Sequence, residues 1–398
     1  MPVCIVKDSC CMCKNCSRVC KFNAISYRTD EYGFEHIVVD KKKCVGCNRC
    51  ERVCPIIDNK IEYKEPLMSG MAYAIEPEIK RQGSSGGLFG AFAKMIFKKK
   101  GVVYGAAFDE ELNLVTTRAE TYEQLKPLYK SKYLLCDTNT QFERIEKDLK
   151  SNRVVLYCSC PCQIQALKLF LNKDYENLYM VDFVCHGVSS QKIFDKFREE
   201  YENRNKCKLK SFQFRYKTLK PSSSHYFKLG CIINGSEKIK TGLYFGYPYY
   251  NAYCKQIISR SNCYDCKFAK KERMSDITIG DFHTVEKYFK NIDRFSGISM
   301  FLCNTKKGME LLNYCRQDLY ISEVSSEILY ANNRFSQSSK KEIDALIDRR
   351  NKFLAEFFLA GMSKNIKCQL ITKKDYLKII YYKSPLFLRK IAKELSAR

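Results

Sequence analysis

Four cysteines, Cys10, Cys13, Cys16 and Cys20, recur as Cys44, Cys47, Cys50 and Cys54, every member displaced by 34 residues. A repeat at fixed period means one small structural unit used twice, and each copy here reads C-x2-C-x2-C-x3-C. Three thiolates within one tight turn can wrap three corners of an iron–sulfur cubane, while the fourth, on the short helix that follows, is carried toward the other cluster. The spacing therefore assigns Cys10, Cys13, Cys16 and Cys54 to one [4Fe–4S] cluster, and Cys44, Cys47, Cys50 and Cys20 to a second. Two Cys4 zinc sites are the alternative for eight cysteines, but zinc sites usually build from separated C-x2-C knuckles, and Pro55 directly after Cys54 fits them poorly. Lys21 stands where the first copy would carry the matching proline, and Cys4 and Cys11 fall outside the pattern and read as spectators.

Between the two copies, residues 33–40 (GFEHIVVD) read as a strand. Residues 1–58 resemble a bacterial two-cluster ferredoxin domain, which implies a small α+β, ferredoxin-like fold. Residues 59–70, with Asn59, Lys60, Pro66 and Gly70, lack periodicity and read as a linker. The chain has 398 residues, and at ~150 residues per domain a larger second domain must follow. Its 23 cysteines point to metal ligation or redox chemistry rather than disulfides if the compartment is reducing. No window approaches the ~18 uninterrupted apolar residues of a membrane span, and the first residues lack a secretory pattern, so a cytoplasmic location is expected. The 69 Lys+Arg against 44 Asp+Glu leave a formal charge of +25, which admits nucleic acid, an anionic membrane surface, or an acidic redox protein or anionic substrate as partner. Nucleic acid is not expected, because no RNA-binding signature is present and the basic residues are spread out.

In the larger domain, residues 83–87 (GSSGG) run into an apolar stretch, residues 88–97, with helical spacing. A Gly/Ser turn opening a helix presents backbone N–H groups at the positive end of the dipole, which suits the phosphates of a nucleotide cofactor; close helix packing through glycines explains it equally well. Residues 101–108 and 112–117 read as strands, followed by a helix over 141–150. Strand, turn and helix then recur twice: residues 153–157 lead through Cys158, Cys160 and Cys162 to a helix ending at Leu171, and residues 178–184 lead through Cys185 and His186 to a helix over 191–201. This alternation predicts a mixed α/β domain with functional groups gathered at strand ends. Ile232-Ile233-Asn234-Gly235 marks a hairpin.

The residues 83–87 turn, Ser131-Lys132-Tyr133, Pro161-Cys162-Gln163, the 185–189 motif (CHGVS), Cys263-x2-Cys266, residues 275–282 (SDITIGDF) and Gly297-Ile298-Ser299 follow one another in an order that resembles the coenzyme F420 hydrogenase/dehydrogenase beta-subunit family. The resemblance spans residues 71–340, leaving 341–398 as a basic helical extension. It implies an iron–sulfur flavoprotein in which FAD exchanges electrons with clusters, with Gly83, Ser84, Ser85, Gly86, Gly87, Ser131, Lys132 and Tyr133 as the flavin site. It also brings Cys162, Cys185, Cys263 and Cys266 together as a candidate third site, for another [4Fe–4S] cluster, a zinc ion or reduced thiols. His186 is a weak candidate for catalysis, a structural histidine being at least as good a reading. Two departures are Ser159-Cys160 in place of the family's Gly-Thr and His283 in place of its Trp. Cys136, Cys207, Cys231, Cys303, Cys315 and Cys368 are scattered and read as small core residues.

The expected function is that of an oxidoreductase passing electrons between an external carrier, such as ferredoxin or another redox protein, and a substrate at the flavin. That substrate would be a deazaflavin or another small molecule, with glycan-precursor metabolism as one setting. The alternative is an electron-transfer subunit of a larger redox complex without its own substrate. Residues 373–398 hold eight basic and two acidic residues with apolar groups on both sides of Pro385, a pattern that fits two short amphipathic helices at the inner face of a membrane or a helix docked on the domain.

Overall fold

The computed structural model describes residues 6–57, 61–138, 140–217, 226–243, 247–290, 292, 297–331, 333–336 and 338–371. The tail of residues 373–398, with its expected amphipathic helices, and Cys4 lie outside them. Among the described residues no helix is long and apolar enough to cross a membrane.

The 34-residue repeat is carried into the backbone. The short helices Asn15–Arg18 and Arg49–Arg52 are related by the same offset. So are the left-handed residues ahead of them, Met12 (φ 52°) and Lys14 (φ 62°) in the first copy, Gly46 (φ 71°) and Asn48 (φ 56°) in the second. Non-glycine residues seldom adopt positive φ, so Met12 and Lys14 hold a chain reversal that the neighbouring cysteines require. Between the copies β1 (Ile25–Thr29) and β2 (Glu35–Val39) form an antiparallel pair, so the N-terminal region is a small unit of strands and helical turns.

An eight-stranded mixed sheet forms the larger domain. Its strands are β3 (Met68–Ala74), β4 (Val102–Phe108), β5 (Leu114–Ala119), β6 (Val155–Ser159), β7 (Leu178–Phe183), β11 (Ile277–Asp281), β12 (Ser299–Cys303) and β13 (Leu319–Glu323), in spatial order β13-β3-β12-β11-β7-β6-β4-β5. β3 begins at Met68, inside the stretch read as linker. The centre, β4-β6-β7-β11, is parallel and the flanks are antiparallel. The two-residue period of a strand sends Val103, Leu156 and Val181 into one core with the helix Leu88–Lys98. Val102, Tyr104, Val155, Tyr157 and Met180 go into the opposite core with the helices Gln141–Lys150 and Pro161–Leu171. Burial on both faces is what near-continuous apolar strands demand.

A second, antiparallel sheet contains β8 (Lys208–Tyr216), β9 (Tyr226–Ile233) and β10 (Ser236–Leu243). Asn234 and Gly235, both at positive φ, make the expected two-residue hairpin turn. This sheet shares an aromatic core with the helices Gln191–Asn205, Pro248–Cys254 and Lys340–Ala360, so the start of the basic extension packs through Phe353, Leu354 and Phe357.

Candidate redox site

Parallel strands share one carboxyl edge, and in open α/β sheets ligands bind beyond that edge. Here the loops after β6, β7 and β11 carry Cys160 and Cys162, Cys185 and His186, and Phe282 and His283. The Gly/Ser turn joins the same edge through strand neighbours, because Gly86 N–H donates to Ser299 Oγ (2.8 Å) and Ser85 Oγ donates to the Ile298 carbonyl (2.7 Å).

The N-terminal cysteine unit is fastened to this edge. Buried Asn15 donates from Nδ2 to the carbonyls of Val53 (3.1 Å) and Ala166 (2.7 Å), tying both repeat copies to the helix that begins with Pro161-Cys162. Arg260, 4% exposed, donates to the Cys10 carbonyl and the Glu35 carbonyl, both at 2.8 Å. The two copies end in opposite environments. Cys10, Cys13 and Cys16 are buried, and Cys54, from the second copy, packs with Cys10 and Cys16. Cys44 and Cys50 are half-buried and Cys47 is exposed. Burial raises the thiol pKa of Cys10 to about 12 and of Cys16 to about 11, as it must when thiolates are taken from water without a cation. Cys20 accepts from the Ala24 N–H at 3.4 Å.

Cys11, read as a spectator to the ligand pattern, lies beside it. It is 4% exposed and hydrogen-bonds with both Cys13 and Cys162. Cys162 in turn lies 3.4 Å, sulfur to sulfur, from Cys160. Cys160, the residue that departs from the family pattern, shares the electrostatic field of Cys185, Cys263 and Cys266. A line of thiols thus runs from the first cysteine loop to the strand edge. Among the described residues no three His, Cys, Asp or Glu side chains gather closely enough to ligate a single ion; a four-iron core spreads its thiolates over four corners, a wider spacing than one ion uses. Of the cysteines read as core, Cys231, Cys303 and Cys315 are buried, Cys136 and Cys207 are half-buried, and Cys368 is exposed, because it lies on the outer side of the helix Lys364–Leu370.

The glycine turn itself is a close-packing device. A Cβ at Gly86 would collide with the Ala72 carbonyl oxygen and sit 2.8 Å from the Ser299 amide nitrogen, and Gly87 adopts φ +92°. The Gly86 N–H, already given to Ser299, is not presented to a ligand. Gly86→Ala is therefore expected to lower folding stability by about 3 kcal/mol, seen as a shifted denaturant midpoint; a neutral effect would show that the turn does not need its close approach to β3.

What surrounds the turn is cationic. Lys130 Nζ donates to the Arg81 carbonyl (2.6 Å) and the Gly83 carbonyl (3.2 Å), and Arg215 donates to the Ser84 carbonyl (3.3 Å). Lys217, 4% exposed, donates to the carbonyls of Lys80 (2.7 Å) and Ser85. Asp281 faces these groups and contacts Arg215 at 2.9 Å, and Glu78 lies near Lys130. Burial alone would raise the Asp281 pKa, but the Arg215 charge, with His283, holds it well below the usual carboxylate range. Burial lowers Lys217 to about 6 and Lys130 to about 7, with the neighbouring cations adding to both. With Arg215 charged and Lys130 and Lys217 able to take up a proton beside it, this group of bases is chemistry for an anion, and phosphates fit it. Sequence reasoning missed Lys130, Arg215 and Lys217, which carry no motif of their own.

The sequence-derived flavin residues divide here. Ser131 meets the turn, its N–H and hydroxyl at 2.7 and 2.9 Å from Ser84 Oγ. Lys132 Nζ is taken by the carbonyls of Ala106, Pro127 and Tyr129. Tyr133 lies in the aromatic core, its ring 4.3 Å from that of Tyr253. His186 is held neutral, its pKa lowered to about 4 by burial and by Arg334 and His283.

These features define an iron–sulfur redox protein built on a mixed α/β domain. Residues 152–327 match the family described as the C terminus of the coenzyme F420 hydrogenase/dehydrogenase beta subunit, and residues 9–56 match the 4Fe-4S dicluster domain. Among solved structures, a chain of the F420-reducing [NiFe] hydrogenase complex from Methanosarcina barkeri is similar, with 16% identity and a TM-score of 0.44 over 76% of this chain and 95% of that one. None of the curated proteins matches this chain.

Proposed function

We propose that this chain is an iron–sulfur flavoprotein oxidoreductase that passes electrons between an external carrier, such as a ferredoxin, and a flavin-site substrate. The observation that supports it best is the burial of the first cysteine loop against the carboxyl edge of the parallel strands, with Cys11 bridging Cys13 to Cys162. In this reading Cys44, Cys47, Cys50 and Cys20 hold an outer [4Fe–4S] cluster, and Cys10, Cys13, Cys16 and Cys54 an inner one. Cys185, Cys263 and Cys266, with Cys162 or the adjacent Cys160, hold a third. Lys130, Arg215 and Lys217 bind the phosphates of FAD beside the Gly83–Gly87 turn, and Ser131 with Ser84 fixes the turn's outer rim. Bound flavin supplies the junction between one-electron cluster chemistry and two-electron substrate chemistry. His186, kept neutral by burial beside Arg334 and His283, stays a weak candidate for catalysis in this reading, and Arg334 favours an anionic small-molecule substrate, a deazaflavin among them.

A second reading, an electron-transfer subunit with no substrate of its own, is favoured by the beta-subunit family of residues 152–327. Anaerobic purification followed by iron, sulfide and flavin analysis tests the main reading, with about eight to twelve irons and one flavin per chain expected. A colourless, zinc-loaded protein would overturn it. A flavin-loaded protein that reduces nothing until a second subunit is added would select the subunit reading.

A further inference from the structure

The two repeat copies are alike in backbone and opposite in surface. In the buried copy the basic residues are matched by acids: Lys14 pairs with Glu35 (3.1 Å) and Asp137 (3.4 Å), and Arg18 with Glu143 (3.4 Å). In the other copy Lys41, Lys42, Arg49 and Arg52 are all exposed and make no ion pair among the described residues, Lys43 alone approaching Asp40 at 3.9 Å. Between them the loop tip is open: Val45 is 61% exposed, Cys47 is exposed, and nothing lies within 4 Å of where a Gly46 Cβ would be. Lys21 and Phe22, directly after Cys20, are exposed as well.

We infer that this rim is the docking surface for a small acidic one-electron carrier, whose carboxylates pair with Lys41, Lys42, Arg49 and Arg52 around an apolar contact on Val45. The inference rests on the proposed redox function and adds where its carrier binds. The overall charge of +25 does not by itself explain the pattern, because the same unit pairs its cations where it is buried and leaves them unpaired around its exposed cysteine loop. A ring of unpaired charge about a small apolar centre steers encounter and fixes orientation while allowing quick release. In the transfer the carrier loses one electron and the chain gains one, with no bond or proton exchanged.

The test uses the anaerobically purified full chain and a purified acidic two-cluster ferredoxin. The triple variant Lys41→Glu, Lys42→Glu, Arg49→Glu is compared with a control of equal charge change, Lys238→Glu, Lys341→Glu, Lys352→Glu, on exposed positions elsewhere. Stopped-flow reduction by ferredoxin should slow about tenfold or more in the rim variant at low ionic strength and little in the control, and the gap should close at about 0.5 M salt. Photoreduction by neutral 5-deazariboflavin should be the same in all three proteins. Ferredoxin binding by calorimetry, which needs no electron transfer, should weaken in parallel. Equal rates and affinities for rim and control variants would overturn the docking surface, as would binding to the rim of a polyanion such as duplex DNA with no binding of ferredoxin. A wild-type chain without iron would instead defeat the redox reading, and the calorimetry would still decide the docking.

Discussion

Cys54→Ala is expected to strip about four irons from each chain, and to take them from the inner cysteine set although Cys54 belongs by sequence to the outer copy. The expectation comes from where the helix turn Arg49–Arg52 delivers it. Cys54 is 8% exposed and packs with Cys10 and Cys16, while Cys47 of its own copy is exposed. Burial raises the Cys54 thiol pKa despite the N–H groups of Ile57 and Ile56 directed at it, so a positive iron core is what would hold the thiolate there. The variant should keep the spectrum of the outer cluster, lose that of the inner one, and accept electrons from ferredoxin without passing them to flavin. Cys47→Ser should do the reverse, damaging the outer set and sparing the inner. Iron and sulfide per chain with low-temperature paramagnetic resonance of the reduced proteins read both. Loss of the outer signal in Cys54→Ala would mean that the fourth ligands are not exchanged.

The repeat was legible from the cysteine spacing, and the structure extends it to the backbone, where Met12 and Lys14 match Gly46 and Asn48 in left-handed geometry, because a fixed spacing of ligands needs a fixed loop. Strands β4, β6 and β7 and the helices after them could likewise be read from period and turn chemistry. What separates the two copies could not. Burial of the first depends on Asn15 reaching Ala166 and Arg260 reaching Cys10, contacts between residues 151 and 250 positions apart that leave no local pattern. The same distance in sequence hid Cys11, which reads as an extra cysteine until Cys162 is brought beside it. The glycine turn shows a different limit. Its composition suits both a phosphate cradle and close packing, and only the third dimension shows the Gly86 N–H spent on Ser299 and the positive charge supplied instead by Lys130, Arg215 and Lys217. Lys217 directly follows β8, whose alternation announces a sheet and nothing more.

Lys217→Met should weaken binding of FAD, or of ADP as its phosphate-bearing fragment, by about 100-fold, and should change how both binding and stability respond to pH. In the absence of an anion, folding lowers the Lys217 pKa from 10.5 to about 6. Between those values the unfolded chain holds a proton that the folded chain does not, so the wild type must lose stability as pH falls from 10.5 toward 6, at up to roughly 1.4 kcal/mol per unit from this residue. A phosphate beside Lys217 and Lys130 reverses the preference, since charge on the ammonium is then favoured. Binding near pH 8 should therefore take up between about one and two protons, and affinity should fall as pH rises toward 10. Titration calorimetry in buffers of different ionisation enthalpy measures that uptake directly. In Lys217→Met the uptake should drop by about one proton, and the slope of stability between pH 7 and 10 should become shallower by up to roughly 1.4 kcal/mol per unit even without ligand, because one of the lysines whose pKa falls on folding is gone while Lys130 and Lys132 remain. Binding of ADP that is equally tight and equally pH-independent in both proteins would remove Lys217 from the anion site, while a shallower stability slope alone would leave it as a buried lysine serving only the Lys80 and Ser85 carbonyls.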